Sequence, residues 1–175
     1  MVTPLELLNL YLTDGQSKGN TNSELFRKFN NELTWDALLN EGNQSDLAPM
    51  LYHVINNNNH YCVSVEIKDK LKSIYNQYLI RNVVQFNELD KILDAFEKEE
   101  IDVIPLKGAY IARKYYPNPA LRPMADLDLL VRRENMGTAK ECIIGSGYKF
   151  IDNSEDIWGE KHFHFPYVKS HLISD

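Results

Sequence analysis

Two aspartates, Asp126 and Asp128, stand two residues apart in the run Asp126-Leu127-Asp128-Leu129-Leu130-Val131. On a strand, side chains two apart leave the same face, about 6.5 Å from each other at a rise of about 3.3 Å per residue. Carboxylates held so close repel and raise each other's pKa unless a cation lies between them. The pair therefore suits a hard divalent metal that takes oxygen ligands, with Mg²⁺ the natural candidate and Mn²⁺ its substitute. An acidic, solvent-facing edge strand would show the same spacing with no chemistry attached.

Lys107-Gly108 falls where a short apolar run gives way to a helical pattern. Glycine there lets a backbone approach a ligand closely, and the helix that follows offers free N–H groups and the positive end of its dipole. A phosphate fits such a corner; a turn glycine beside a solvated lysine is the plainer alternative. Charge adds a third sign. Residues 106–133 carry six basic side chains (Lys107, Arg113, Lys114, Arg122, Arg132 and Arg133) against Asp126 and Asp128, a balance of +4, while the rest of the chain stands at −10. Positive charge focused beside two acids suits an anionic substrate, although clustering by chance produces it too. His162 and His164 also share one face of an alternating segment and could ligate a metal, or form the polar side of a strand whose core side is Phe163 and Phe165.

The elements that must position these residues follow from periodicity. Thr3-Pro4-Leu5-Glu6 reads as a capped helix start, residues 13 to 23 as loop, and Thr34 as the cap of a second helix. Pro49 opens a third helix that runs to Ile55. From Ser64, apolar residues recur at spacings of three and four (Leu71, Ile74, Tyr75, Tyr78, Leu79, Phe86, Leu89, Ile92, Leu93, Phe96), which predicts one long amphipathic helix or two in line. Its apolar face serves a core, or less simply a second copy. Asp102 to Leu106 then has the length and composition of a strand, Ala109 to Tyr116 suits a helix stopped by Pro117 and Pro119, and Asp126 to Val131 reads as a strand buried on at least one face. A helix from Glu134 to Ile144 should end at Gly145 or Gly147, with strands at Tyr148 to Ile151 and Lys161 to Phe165.

With 175 residues, 43% hydrophobic and 25% charged, the chain has the composition of a folded globular domain. A net charge of −6 argues against binding nucleic acid over the whole surface, so any phosphate chemistry must be local. Cys62 and Cys142 are too few and too far apart for a metal finger and read as buried free thiols. No basic leader and no run of eighteen apolar residues is present, which points to a cytoplasmic protein without a membrane partner.

Leu106-Lys107-Gly108-Ala109, Tyr115-Tyr116-Pro117, Leu121-Arg122-Pro123-Met124 and Asp126 to Val131 together resemble a bacterial family of nucleotidyltransferases within the DNA polymerase β-like superfamily. The likeness is specific from Leu106 to Val131 and looser from Trp35 to His171. It implies that Lys107, Gly108 and Ala109 hold nucleotide phosphates and that Asp126 and Asp128 bind two Mg²⁺ ions. One ion would then activate a hydroxyl and the other stabilise the triphosphate and departing pyrophosphate. Arg122, just ahead of the aspartates, could add a bidentate phosphate contact.

The chain departs from that pattern in three places. Ala109 stands where many relatives have serine or glycine, so no side-chain hydroxyl reaches the phosphate. The interval from Gly108 to Asp126 is longer than in many relatives. The third carboxylate, usually the base on a later strand, has no clear counterpart: Asp152, Glu155, Asp156 and Glu160 lie in a polar connection and Asp175 is terminal. Leu172-Ile173-Ser174-Asp175 reads as the start of an unfinished element, hence a chain expected to be truncated at its C-terminus.

The expected fold is α+β: a helical region over residues 1–98 packed on a small mixed sheet of the nucleotidyltransferase type over 99–175. The expected activity is Mg²⁺-dependent transfer of a nucleoside monophosphate from an NTP to a hydroxyl on a small molecule or protein. Asp126 and Asp128 would be its catalytic pair. The alternatives are an inactive nucleotide-binding or protein-interaction module of the same fold and a metal-dependent hydrolase using His162 and His164. The acceptor and the base of the NTP have no legible signature.

Overall fold

The structure is a computed structural model that describes residue 39 and residues 46–57, 63–151 and 165–169. In chain order these form α1 (Ala48–Asn57), α2 (Val65–Lys98), β1 (Val103–Pro105), α3 (Lys107–Tyr115), a 3-10 turn at Pro119–Leu121, β2 (Leu129–Val131), a 3-10 turn at Arg133–Asn135, α4 (Met136–Gly145), β3 (Lys149–Phe150) and β4 (Tyr167–Val168). The class is α+β, helix-rich, with short antiparallel strand pairs. No helix among the described residues is long and apolar enough to cross a membrane. The helix expected from Thr3 and the loop over 13 to 23 lie outside the described residues; of the helix expected after Thr34, only Leu39, helical and buried, lies within them.

Two compact units divide the chain: residues 1–82 with 112–123, and residues 83–111 with 124–175. In the first, Ala48, Leu51, Val54 and Ile55 from α1 pack with Leu39 and with Ile67 and Leu71 from the start of α2. The three-and-four spacing of those residues is what places them on one side of each helix. Ala120 and Leu121 of the 3-10 turn are buried in this unit.

In the second unit, Ile92 and Phe96 of α2 pack with Ile101 and Ala139, and Val103, Leu129, Val131, Cys142, Ile143 and Tyr148 close around them. β1 and β2 pair antiparallel, with Val103 opposite Val131, Ile104 opposite Leu130 and Pro105 opposite Leu129. Alternation turns Ile104 and Leu130 outward and Val103, Leu129 and Val131 inward, towards this core. β3 pairs with β4 through Lys149–Val168 and Phe150–Tyr167.

Two helices of this unit end in the same motif. After α4, the Tyr148 N–H donates to Ile143 O and the Gly147 N–H to Ile144 O, with Gly147 in the left-handed region at φ 89°. After α2, the Ile101 N–H donates to Phe96 O and the Glu100 N–H to Glu97 O, with Glu100 at φ 54°. The glycine stop expected for α4 is Gly147. The stop of α2 has no glycine, because buried Ile101 anchors the turn instead.

Three sequence expectations shift. The Asp126–Val131 strand shrinks to Leu129–Val131, since β1 ends where Lys107 turns into α3 and leaves residues 126 and 127 without a ladder partner. Cys142 is a free thiol but only half-buried, its pKa pushed up by burial; Cys62 lies outside the described residues. The final described strand is Tyr167–Val168, beyond Pro166, while the alternating 161–164 stretch lies outside the described residues.

Candidate active site

The corner after β1 is built by one rung of ladder and one ion pair. The Leu106 N–H donates to Asp128 O at 2.9 Å, continuing the β1–β2 pairing one residue past the strands. Asp128 is thereby fixed opposite Leu106. The next residue, Lys107, adopts φ 45°, in the left-handed region that side chains other than glycine's rarely occupy. That conformation starts α3 at once and sends the lysine side chain to Asp128, with Nζ 2.9 Å from Oδ2.

Lys107 reports on both aspartates. Its pKa is raised by the hydrogen bond and charge of Asp128 and, by a smaller amount, by the charge of Asp126. Asp126 thus acts on the same ammonium although it stands ahead of the strand, exposed. Of the two acids, only Asp128 touches the ladder.

Gly108 and Ala109 occupy the first turn of α3, where N–H groups lack helical acceptors and the dipole is positive. Arg113 and Lys114 sit in the last turn, the end that favours cations. A Cβ on Gly108 would lie 3.2 Å from Met124 Cγ, tighter than ordinary contact, so the Met124 side chain would have to give way to any larger residue here. Ala109 is buried, leaving only its backbone to meet a ligand. At the far end of the β1–β2 ladder, Arg132 Nε lies 3.6 Å from Asp102 Oδ2, so part of the basic cluster is neutralised locally.

Two carboxylates supply the oxygen donors Mg²⁺ takes, and the fold already holds a cation, the Lys107 ammonium, against one of them. The donor set fits such a metal. Among the described residues no group of three or more His, Cys, Asp or Glu side chains is gathered as a metal site. Asp152, Glu155, Asp156, Glu160, His162, His164 and Asp175 all lie outside the described residues.

Arg122 belongs to the other unit. It follows the 3-10 turn, extended at φ −120° and ψ 91° as a residue before proline prefers, and its Nη1 donates to Pro123 O at 2.6 Å. In the same unit stands a residue that the sequence reading missed. Asn82 is fully buried, and its Nδ2 donates to Pro119 O at 2.6 Å and to Arg122 O at 2.8 Å. A signal existed: residue 82 falls in phase with Tyr75, Leu79, Phe86 and Leu89 on the apolar stripe of α2, where an amide is out of place.

Glu88 is a second omission, in phase with Ile92 and Phe96 and nearly buried. Lys169 Nζ lies 2.6 Å from its Oε2 and Lys91 Nζ 2.7 Å from its Oε1, and the Tyr148 hydroxyl donates to Oε2 at 3.3 Å. Burial pushes this carboxyl up, but the two lysines outweigh it and hold the pKa below the ordinary 4.5. Burial together with the Glu88 charge pushes the Tyr148 hydroxyl up to about 12.

No curated protein and no solved structure matches the chain. A protein-family model described as "Uncharacterised nucleotidyltransferase" matches residues 31–173, which include the Lys107 corner, both aspartates, Arg122 and Asn82. The chain therefore belongs to this family of uncharacterised nucleotidyltransferases.

Proposed function

We propose that the protein is a Mg²⁺-dependent nucleotidyltransferase that moves a nucleoside monophosphate from an NTP to a hydroxyl acceptor, and that Asp126 and Asp128 are its metal-binding and catalytic pair. The observation that carries this reading is the Lys107 ammonium 2.9 Å from Asp128, close enough to Asp126 to feel its charge, on the first turn of a helix. One small corner thus presents carboxylates for a cation, and an ammonium and free N–H groups for a phosphate.

In the transfer, the acceptor oxygen bonds to the α-phosphorus as the bond to the pyrophosphate oxygen breaks. Mg²⁺ held by Asp126 and Asp128, or Mn²⁺ in its place, would neutralise the triphosphate and favour the deprotonated acceptor. Lys107 is free to exchange Asp128 for a phosphate oxygen, because its side chain is largely in solvent and the pair it leaves is a surface one. The first-turn N–H groups at Gly108 and Ala109 orient the phosphates. The reading places the reaction in the cytoplasm, where Cys142 would stay a free thiol.

Calorimetric titration of NTPs with and without Mg²⁺, on the wild type, Asp126→Ala and Asp128→Ala, tests the assignment. Mg²⁺-dependent binding that both substitutions abolish is expected. Metal-independent binding untouched by them would overturn it. Binding without turnover towards any hydroxyl acceptor would instead favour a nucleotide-binding module of the same fold.

A further inference from the structure

Rows of side chains cross the outer face of the β1–β2 pair in a fixed order. Ile104 stands opposite Leu130. The row towards α3 holds Asp128, set opposite Leu106 by the bond from the Leu106 N–H to Asp128 O. The row on the other side holds Asp102 and Arg132, whose side chains pair at 3.6 Å. Residues two apart on a strand leave the same face, about 6.5 Å from each other. Asp128, Leu130 and Arg132 therefore share that face, with the first turn of α3 beyond Asp128. All of these residues belong to one unit.

The middle row is apolar and open, with Ile104 58% and Leu130 52% exposed. Two bulky aliphatic side chains directly opposite each other present joined apolar surface, from which water leaves at a gain in free energy. That surface adjoins Asp128 on one side and the polar Asp102–Arg132 pair on the other, so it is continuous with the corner and narrow.

In a transfer at phosphorus the attacking and leaving oxygens stand roughly in line. The phosphate roles proposed for Lys107 and the first turn of α3 put the pyrophosphate on the helix side of Asp128. The attacking oxygen then arrives from the opposite side, which along this face is the Ile104–Leu130 row. The nucleoside leaves the phosphorus off that line, so the row falls to the acceptor and not to the base.

We propose that Ile104 and Leu130 form the floor of the acceptor site, and that the acceptor is a hydroxyl on an apolar body, an aliphatic or aromatic alcohol rather than a sugar or polyol. This rests on the nucleotidyl-transfer reading of the corner. The alcohol oxygen bonds to the α-phosphorus as the bond to pyrophosphate breaks, and the hydroxyl proton passes to water at the open face.

The test uses the full chain with Mg²⁺-NTP and the alcohols n-propanol to n-hexanol, with glycerol as the polyol, on wild type, Ile104→Ser, Leu130→Ser and the double variant. Both side chains are exposed, and circular dichroism with thermal unfolding identifies the folded preparations; should a serine variant not fold, Ile104→Thr or Leu130→Gln carries the same expectation. Methyl NMR of the wild-type Mg²⁺-NTP complex should show saturable shifts of Ile104 and Leu130 with n-hexanol and none with glycerol. Formation of the alkyl nucleotide ester should rise in kcat/KM about twofold per methylene, and so about eightfold from n-propanol to n-hexanol, half the gain of full burial because one side of the chain stays in water. The double variant should flatten that series while its Mg²⁺-NTP affinity, read by calorimetry, stays at the wild-type value.

A series that the variants leave unchanged overturns the inference, as does glycerol used as well as n-hexanol, or no ester formed from any alcohol by protein that binds Mg²⁺-NTP through Asp128. Variants that weaken Mg²⁺-NTP but not Mg²⁺-tripolyphosphate would give the row to the base and overturn it too. A wild-type dimer that the variants render monomeric in sedimentation would give it to a second copy, with the same consequence. Each of these leaves the functional reading standing. Mg²⁺-NTP binding untouched by Asp128→Ala removes that reading, and the inference falls with it.

Discussion

Two lysine–carboxylate pairs in one unit of the molecule have opposite physics. Lys169 and Glu88 are 24% and 6% exposed, and the carboxylate is met by Lys91 and Tyr148 as well. Lys107 and Asp128 are 72% and 15% exposed, and the lysine starts its helix from a left-handed backbone. A charge taken out of water must be met in full, so the Glu88 cluster works as a rivet between α2 and the chain after β4. A pair left in water costs little to break, so under the proposed reading Lys107 leaves Asp128 for a phosphate. The difference teaches that an ion pair poised for chemistry is recognised by how cheaply it can be exchanged, together with the unusual backbone that aims it.

The contrast can be broken at several points. Asp128→Ala should lower Mg²⁺-dependent NTP affinity by about a hundredfold or more, since it removes the proposed metal ligand and the partner of Lys107, while the unfolding midpoint barely moves; calorimetry beside thermal unfolding checks both halves. Glu88→Gln should do the reverse. Loss of the carboxylate strands two ammonium groups and costs about 2 kcal/mol in denaturant unfolding, below the range of fully buried pairs because Lys91 stands in solvent, with NTP affinity unchanged in the folded protein.

Lys107→Ala should weaken NTP binding about tenfold and leave unfolding unaltered, as a phosphate contact on an exposed side chain would; a stability loss like that of Glu88→Gln would place the two pairs in one class. Acid distinguishes them further. Because the folded pKa of Glu88 is depressed, its contribution to stability is present above 4.5 and is lost as pH falls through the folded value. Unfolding followed against pH should show this loss in the wild type and a smaller one in Glu88→Gln. The smallest effect belongs to the backbone. Glu100→Gly should stabilise by about 1 kcal/mol in the same assay, relieving a left-handed residue at a helix end that Gly147 already occupies without strain.

Much of this arrangement was legible along the chain. The spacing from Leu71 to Phe96 marked α2, and the glycines at 145 and 147 marked the end of α4, because both are local rules of helix geometry and backbone freedom. Asp126, Asp128, Lys107 and Gly108 were legible as a set through residue type, charge and resemblance. Their geometry was less so: alternation predicted a strand from Asp126, whereas the ladder begins with the rung at Asp128, because β1 stops where Lys107 turns. Asn82 and Glu88 went unread as sites because periodicity scores a stripe as apolar and passes over a single polar exception.

Residue types and their periods, taken alone, determined which segments are helical or extended, where positive charge gathers and which two acids could share a cation. Only the tertiary structure decided that Lys107 reaches Asp128, that Glu88 meets Lys169 across 81 residues of sequence, and that the Asn82 amide reaches carbonyls 37 and 40 residues away. Local preference acts over three or four residues of one backbone, whereas these contacts depend on how packed cores bring distant segments to hydrogen-bond distance.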